Sequence, residues 1–302
     1  MITRYAQGSL TWIDLVNPSA AEVRQMMQEF DLHPLIAEEL LAPSFKPKVE
    51  RRGDCLYVIL HFPAMRVVGS RPEQEIDFVI GKHFLITTRY ETVDPLHSFA
   101  KTFEVNTVLG RGGSTHGGHL FVSMARSLYE ALNDECGAMR RRLQVIEERI
   151  FRGDERGMVI ELSHVGRTIY DFRESLLPHE EMLRSLEPVA GRLLGAEFAY
   201  YIRELTGAYQ RLERSLGHLR DSLGEMRETN NSLLTTKQNE VMKTFTVLAF
   251  LFLPLSFIAS LFGMNTVHNP IAGNSFDFWI IFTGMVLLAG TCLAYFKGKG
   301  WL

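Results

Sequence analysis

The sequence has few cysteines, and they lie far apart. Among its 302 residues, cysteine occurs at Cys55, Cys136 and Cys292, and no two of them form a CxxC pair. Disulfide frameworks and structural zinc sites need cysteines at close, paired spacings. We therefore expect neither, and we expect the soluble part of the chain to lie in a reducing compartment.

Several functional signatures are also missing. The N-terminal stretch MITRYAQGSLTWIDL has no continuous apolar segment, so we expect no cleaved signal peptide. The net charge is -3, and Arg140–Arg142 are followed at once by Glu147 and Glu148; this favours a solvated helix face over a nucleic-acid site. The sequence contains no nucleophile elbow, phosphate loop or HExxH motif, which makes an enzyme on a membrane anchor the weakest hypothesis.

What the sequence does contain is two long uncharged stretches. Residues 244–262 and 278–296 each comprise nineteen residues without a formal charge. A hydrocarbon core about 30 Å thick needs roughly 20 apolar helical residues, and buried helices of soluble proteins rarely stay uncharged for so long. The sequence predicts a first transmembrane helix at about 244–262, a periplasmic loop at about 263–276, a second transmembrane helix at about 277–296 and a tail at 297–302.

The flanking charges predict the orientation of these spans. Lys243 precedes the first span, Lys297 and Lys299 follow the second, and the connecting TVHNPIAGNS has no lysine or arginine. Positive charge is enriched on the cytoplasmic side of membrane proteins. We therefore predict a multi-pass protein of the cell inner membrane with both termini in the cytoplasm.

The remaining residues alternate between strand and helix signals and then become helical. Predicted strands are LTWIDLV (10–16), FKPKVERR (45–52), DCLYVILHF (54–62) and a hairpin within IDFVIGKHFLITTRY (76–90). Predicted helices are SAAEVRQMMQEF (19–30), which opens with a capping box, HPLIAEELL (33–41) and PLHSFAKTFEV (95–105). The predicted fold class is an α+β membrane protein with an N-terminal α/β cytoplasmic domain (1–117), a helical cytoplasmic stalk region (118–243) and a transmembrane domain (244–302).

The glycine-rich stretch GRGGSTHGGH (110–119) has two sharper interpretations. As a phosphate loop it lacks the Gly-Lys-Ser/Thr that would follow, and as a metal site His116 and His119 lack further ligands nearby. We interpret it as a mobile connection into the next helix.

The helical region contains a long apolar seam. A first helix is predicted over LFVSMARSLYEALNDECGAMRRRLQVIEERIF (120–151), broken by Gly153 and Gly157, and a second reaches about Leu186. After Pro188, apolar residues recur at alternating spacings of three and four: Ile202, Leu205, Tyr209, Leu212, Leu216, Leu219, Leu223 and Met226. This spacing predicts a coiled-coil-like helix that packs lengthwise on other helices.

The seam helix shows no stop before the first span. If it runs from about Gly191 to Phe262, it extends on the order of 100 Å at about 1.5 Å per residue. Such a helix can carry movement of the soluble domain to the membrane. Pro254 lies within the span, at a position where membrane helices tolerate a kink.

A partly polar stripe runs along the same helix. Its members fall at steps of three and four: Asn239, Met242, Phe245, Ala249, Leu253, Ser256 and Ser260. Polar groups in a bilayer face protein or water, so the serines either bond to a packed helix or line a pore. Asn239 and Asn265 at the two ends favour a lining shared by a ring of copies, with Phe245 and Leu253 as dry constrictions.

Several segments resemble one family. These are NEVMK (239–243), PLSFIASLFGMN (254–265), YFKGKGWL (295–302), WIDL (12–15), HPLIAEELL (33–41) and KPKVE (46–50). Together with the two closely spaced terminal spans, they resemble the CorA family of divalent-cation transporters and channels. Gly263-Met264-Asn265 matches that family's signature tripeptide, and the resemblance covers nearly the whole chain.

The resemblance implies a funnel-shaped homopentamer in the lipid bilayer. It implies a selectivity filter at Gly263, Met264 and Asn265, in which Asn265 of each subunit holds a hydrated cation. Mg²⁺ would be the cargo, or alternatively Co²⁺ or Ni²⁺, and no catalytic cofactor is expected. The resemblance also implies a regulatory Mg²⁺ between cytoplasmic domains, for which the stalk offers the candidates Glu204, Asp221, Glu225 and Glu228.

Two alternatives stay open. The family's usual acidic loop is replaced here by Thr266-Val267-His268-Asn269-Pro270, and the next acid is Asp277. Zinc-transporting relatives share the fold, and His268 could contact zinc. The second alternative is a membrane-anchored coiled-coil scaffold that conducts no ions.

Overall fold

The structure, a computed structural model, forms two compact units. They comprise Met1–Arg227 and Glu228–Leu302. The structure describes residues 1–44, 46–64, 73–91, 93–108, 116–264 and 276–301.

Six strands of the first unit form one sheet. They are β1 (Ile2–Gln7), β2 (Leu10–Val16), β3 (Lys48–Arg52), β4 (Cys55–Pro63), β5 (Glu73–Ile80) and β6 (Phe84–Arg89). The strand order is β1-β2-β6-β5-β4-β3, and β2 lies parallel to β6 while the other neighbours are antiparallel. The predicted strands and the β5–β6 hairpin are confirmed. We did not predict β1, a half-buried edge strand whose apolar alternation is incomplete.

Eight helices complete the described chain. They are α1 (Ala20–Phe30), α2 (Pro34–Glu39), α3 (Asp94–Val108), α4 (Gly117–Phe151), α5 (Glu155–Leu176), α6 (His179–Leu194), α7 (Phe198–Gly263) and α8 (Asp277–Gly298). The capping box of α1 is confirmed, because Ser19 Oγ accepts from the Glu22 amide and the Glu22 carboxylate accepts from the Ser19 amide. The α+β fold class, with a long helix and a second apolar helix at the C-terminal end, is also confirmed.

Both faces of the sheet are covered. On one face, α1 and α2 bury an apolar cluster that includes Val23, Met26, Ile36, Ile59 and Ile86. On the other face, α3, α4, α5 and α6 contact the strands. The central strands therefore present apolar side chains to both sides, and β4 is buried along its entire length.

The boundaries between α4, α5 and α6 differ from the prediction. The chain turns at Gly153, whose φ of 99° favours glycine, but Gly157 lies inside α5 and does not break it. The predicted second helix reaching Leu186 is wrong, because α5 ends at Leu176 and α6 begins at His179. Pro178 lies between them, and its missing N–H interrupts the helical hydrogen bonds at this point.

The start of the long helix also differs. Pro188 lies inside α6, and the break comes at Gly195, whose φ is 105°. The long helix therefore starts at Phe198 instead of about Gly191, and it has 66 residues. Its predicted continuation into the first apolar span is confirmed.

The predicted apolar seam of α7 packs within its own chain. Seven of its eight residues are buried: Ile202, Leu205, Tyr209, Leu212, Leu216, Leu219 and Leu223. Polar contacts on either side identify the neighbouring helices, since Ser215 Oγ lies 3.3 Å from Asn133 Oδ1 of α4 and Arg227 donates to the Leu162 carbonyl of α5.

A buried histidine joins the helices to the sheet. His179 Nε2 lies 2.8 Å from the carbonyl oxygen of His61 in β4, and its Nδ1 lies 2.8 Å from the Tyr129 hydroxyl of α4. Because a carbonyl only accepts, Nε2 carries the proton and Nδ1 accepts from Tyr129. Burial lowers the pKa of His179 to about 4, so the ring is neutral at neutral pH.

We expect His179→Leu to destabilise the protein by about 2–4 kcal/mol, because the His61 carbonyl and the Tyr129 hydroxyl would both lose a buried partner. The lowered pKa also means that stability present above the unfolded value of 6.5 is lost as the pH falls toward 4. Denaturant unfolding of the full chain in detergent at several pH values measures both effects, and the acid loss should shrink in the variant. Exposed His164→Leu is the control and should change stability by less than about 0.5 kcal/mol; equal losses in both variants would contradict this role.

Candidate ion pathway

Two described helices are long and apolar enough to cross a membrane. They are α7, through its C-terminal part, and the 22-residue α8. At about 1.5 Å per residue, α8 spans roughly 33 Å, which matches a hydrocarbon core of about 30 Å. Only 6% of the apolar window of α7 and none of that of α8 is buried in the protein, so both helices need an apolar environment from outside the chain.

One face of each helix is partly covered by the other. In α7 the covered positions are Val247, Leu251, Pro254, Leu255, Ile258 and Phe262. In α8 they are Ile281, Met285, Leu288, Ala289, Cys292 and Phe296. Both sets recur at three- and four-residue steps, and the Phe250 and Phe296 rings lie 6.1 Å apart. The two helices therefore pack along these stripes.

The predicted polar stripe lies on the opposite face of α7. Each of its seven residues is exposed in the single chain, including Phe245 at 64% and Leu253 at 70%. A helix turns by about 100° per residue, so Ala249 is rotated by about 200° from both Val247 and Leu251. The packing of α8 therefore leaves the whole stripe uncovered.

The hydroxyl groups in the apolar part of α7 differ in whether they form hydrogen bonds. Thr244 and Thr246 donate to the carbonyls of Glu240 and Met242, one turn earlier. Within the described chain, the Ser256 and Ser260 hydroxyls have no hydrogen-bond partner. The two flanks of the stripe are apolar, with Leu248 and Ala259 on one side and Phe250, Phe257 and Leu261 on the other. The hydroxyl groups of this part of α7 that lack a partner thus both lie on the stripe.

Aromatic residues mark both ends of α8, and basic residues mark its C-terminal end. Phe276, Phe278 and Trp279 are exposed at its start, and Tyr295 and Trp301 flank its end, where Trp301 stacks on Phe296 at 5.8 Å. Lys297 and Lys299 are exposed beside them. Aromatic belts and snorkelling lysines are typical of the membrane–water interface.

The predicted filter is only partly described. Gly263 is the last residue of α7, with open space around its Cα, and Met264 is exposed. Asn265, His268 and the rest of the 265–275 connection lie outside the described residues. The predicted filter role of the tripeptide therefore stays a prediction.

The candidate regulatory acids differ in their partners. Glu204 forms an ion pair with Arg126 of α4 at 2.7 Å, and Asp221 pairs with the neighbouring Arg220 at 2.9 Å. Glu225 and Glu228 are exposed and form no ion pair in the described part of the chain. No sequence pattern indicates the Arg126 pairing, because Arg126 lies 78 positions before Glu204 and only the packing of α4 on α7 brings the two together.

No metal cluster stands out elsewhere. Among the described residues, no three histidine, cysteine or acidic side chains lie close enough to hold an ion. His116 instead caps α4 by accepting from the Gly118 amide, and its ring stacks on His119 at 4.0 Å. The predicted connection at 110–119 lies mostly outside the described residues.

Comparisons with known proteins identify the family to which the chain is similar. Residues 7–297 match the family described as CorA-like Mg²⁺ transporter protein. The chain is 24% identical to the cobalt/magnesium transport protein CorA of Thermotoga maritima, over 97% of this chain and 83% of that protein. It is also 24% identical to the zinc transport protein ZntB of Pectobacterium carotovorum, over 96% of this chain and 88% of that protein.

A solved structure shows the same fold. The complete CorA magnesium transporter from Methanocaldococcus jannaschii superposes with a TM-score of 0.84 at 19% identity, covering 99% of this chain and 93% of that one. Since the family match extends over nearly the whole sequence, the chain belongs to the CorA family of divalent-cation transporters.

Proposed function

We propose that this transporter carries Mg²⁺, with Co²⁺ or Ni²⁺ as further cargo, through a pore on the axis of a homopentamer. The pore lies in the cell inner membrane, with both termini in the cytoplasm and the connection between α7 and α8 on the outer side. Lys243, Lys297 and Lys299 support this orientation through the enrichment of positive charge on the cytoplasmic side. The magnesium and cobalt named for the similar proteins support the choice of cargo.

The observation that carries the proposal is the uncovered stripe of α7. Ser256 and Ser260 have no partner in the described chain, and α8 packs on the opposite side of the helix. Hydroxyl groups at membrane depth are expected to face protein or water. A ring of copies turns every stripe toward one axis, where water satisfies the serines, while Phe245 and Leu253 form the narrow apolar positions.

The proposed filter suits a hydrated cation. Mg²⁺ releases its water shell reluctantly, so a ring of Asn265 carboxamides can accept hydrogen bonds from that shell without binding the ion tightly. Gly263 has no side chain, so backbone carbonyls can approach the axis.

The stalk carries the proposed regulation. A divalent cation bound between copies when the ion is abundant would hold the pore closed. Glu225 and Glu228 are the better ligands of the four candidates, since Glu204 and Asp221 already pair with arginines. The two acids lie three positions apart on α7, which places them on one side of the helix.

Zinc is the second candidate cargo. The similarity to a zinc transport protein is as high in identity as that to a cobalt/magnesium protein, and His268 in the connection is a side chain that zinc favours. Flux measured separately for Mg²⁺, Co²⁺, Ni²⁺ and Zn²⁺ distinguishes the two.

We expect Asn265→Ala to reduce Mg²⁺ uptake into proteoliposomes by roughly tenfold or more, equivalent to about 1.4 kcal/mol, because the hydrated ion loses its amide ligands. The oligomer, measured by size-exclusion chromatography with light scattering, should be unchanged. Asn269→Ala, four residues further along, is the matched control and should retain uptake. Unchanged fluxes of Mg²⁺, Co²⁺ and Zn²⁺ in the Asn265 variant would contradict the proposed filter.

We expect a polar thiol reagent to block flux through Ser256→Cys but not through Ile258→Cys, both made in a background with the native cysteines replaced by alanine. Position 256 faces the proposed pore, whereas position 258 faces α8. Mg²⁺ flux before and after treatment is the measurement. Block at position 258 alone would reverse the assigned faces, and an absence of flux from the untreated wild-type protein would favour the non-conducting scaffold.

A further inference from the structure

A carboxyl group is buried in the middle of the sheet, and no cation pairs with it among the residues that the structure describes. Asp77 of β5 is 0% exposed. Its Oδ2 accepts a hydrogen bond from the Tyr57 hydroxyl at 3.1 Å and lies 3.5 Å from the Tyr90 hydroxyl oxygen. Its Oδ1 is buried and has no hydrogen-bond partner among the described residues.

A second carboxylate lies on the same face, two residues earlier in β5. Glu75 is 8% exposed, and its Oε1 accepts from the Ser44 amide at 2.8 Å. Its Oε2 lies 3.0 Å from His61 Nε2, which also lies 3.0 Å from the Ser44 carbonyl oxygen. Burial lowers the pKa of His61, but the hydrogen bonds to Glu75 and Ser44 outweigh it, and the net effect is a raised pKa. His61 and Glu75 are therefore joined by a hydrogen bond, and both hold the Ser44 backbone to the sheet.

The remaining charges near Asp77 come from α2 and β3. The Glu39 carboxylate pairs with Lys48 at 2.7 Å, and Lys48 also reaches Glu50 at 3.1 Å. The Glu39 carbonyl oxygen accepts from Tyr90, the same hydroxyl that contacts Asp77. Among the described residues, the basic side chains of this cluster are those of His61 and Lys48, and each already contacts another carboxylate, Glu75 and Glu39 respectively.

This charge balance decides the state of Asp77. An ionised Asp77 would be an uncompensated negative charge in the interior, which is strongly unfavourable. Burial and then the charge of Glu75 raise its pKa well above the ordinary value. Asp14 on the other face of the sheet shows the contrasting solution, because it is buried beside Arg89 at 2.9 Å.

We propose that Asp77 is a proton-binding site that ties α2 and the segment Leu40–Ser44 to the sheet. With the proton bound, the cluster is balanced, and Tyr90 and Glu75 hold the Glu39 and Ser44 backbones in place. When the proton leaves, the new charge repels Glu75 and Glu39, the two residues that anchor this segment. The unit that contains the sheet then responds, through α2, to the pH of the compartment in which it lies.

The raised pKa determines whether acid or alkali loosens the segment. A carboxyl whose pKa is higher in the folded state stabilises the fold fully below the unfolded pKa, and this stability is lost as the pH rises through the folded value. Alkaline pH therefore loosens the segment, and acidic pH secures it.

The direct test is pH-titrated infrared difference spectroscopy of the full-length protein in lipid, which detects the C=O stretch of a protonated carboxyl whether or not the protein conducts ions. We expect the wild-type protein to retain this band at neutral pH and to lose it at alkaline pH. The band should be missing in Asp77→Asn and unchanged in the control Asp54→Asn, which alters an exposed aspartate. Tyr57→Phe removes a donor to the ionised form, so the band should persist to higher pH, and this variant leaves Asp77 itself in place.

Hydrogen exchange gives the second readout. After correction for the intrinsic pH dependence of exchange, peptides covering residues 33–44 should exchange faster in the wild-type protein as the infrared band disappears, and at a constant rate in Asp77→Asn. A wild-type protein without the band at neutral pH, a band that survives in Asp77→Asn, or the same exchange profile in both proteins would overturn the proposal.

Discussion

Hydroxyl groups inside a hydrocarbon layer have to find hydrogen-bond partners, and this constraint determines how α7 can be arranged. Thr244 and Thr246 satisfy it within their own helix, whereas Ser256 and Ser260 do not. The only other apolar helix described, α8, covers the opposite face. The chain alone therefore leaves a polar line at membrane depth that other copies or water must satisfy.

The first unit, Met1–Arg227, meets the same requirement within its own structure. The His61 carbonyl of β4 is satisfied by His179, whose ring is in turn bonded to Tyr129. Asp14 is balanced by Arg89, and for Asp77 we propose a bound proton. A neutral histidine, an ion pair and a bound proton are three ways to bury a polar group without leaving a charge uncompensated. They also make this unit sensitive to pH in both directions, since acid protonates His179 and, in the proposal, alkali ionises Asp77.

The sequence predicted most elements of the fold because their signals are local. Alternating residues identified β2 and the β5–β6 hairpin, the capping box identified the start of α1, and three–four spacing identified the seam of α7. Prediction was wrong where a turn depended on context: Pro188 is accommodated inside α6, and the chain breaks before and after this helix, at Pro178 and Gly195. The edge strand β1 was missed because pairing with β2, more than its own residues, holds it in place.

The candidate site was predictable in part for the same reason. The face of α7 that carries the serines follows from helical periodicity alone, but the position of α8 on the opposite face depends on packing between distant segments. Neither the Arg126–Glu204 pair nor the charge balance around Asp77 leaves a pattern in the sequence, because each joins residues from separate elements.

The most direct test of the account is an image of the purified assembly in a lipid bilayer at a resolution that shows side chains. The account predicts several copies around one axis, with Ser256 and Ser260 facing a continuous column of water and α8 on the lipid side. An assembly in which the two serines face lipid, or pack against protein with no aqueous route along the axis, would contradict it.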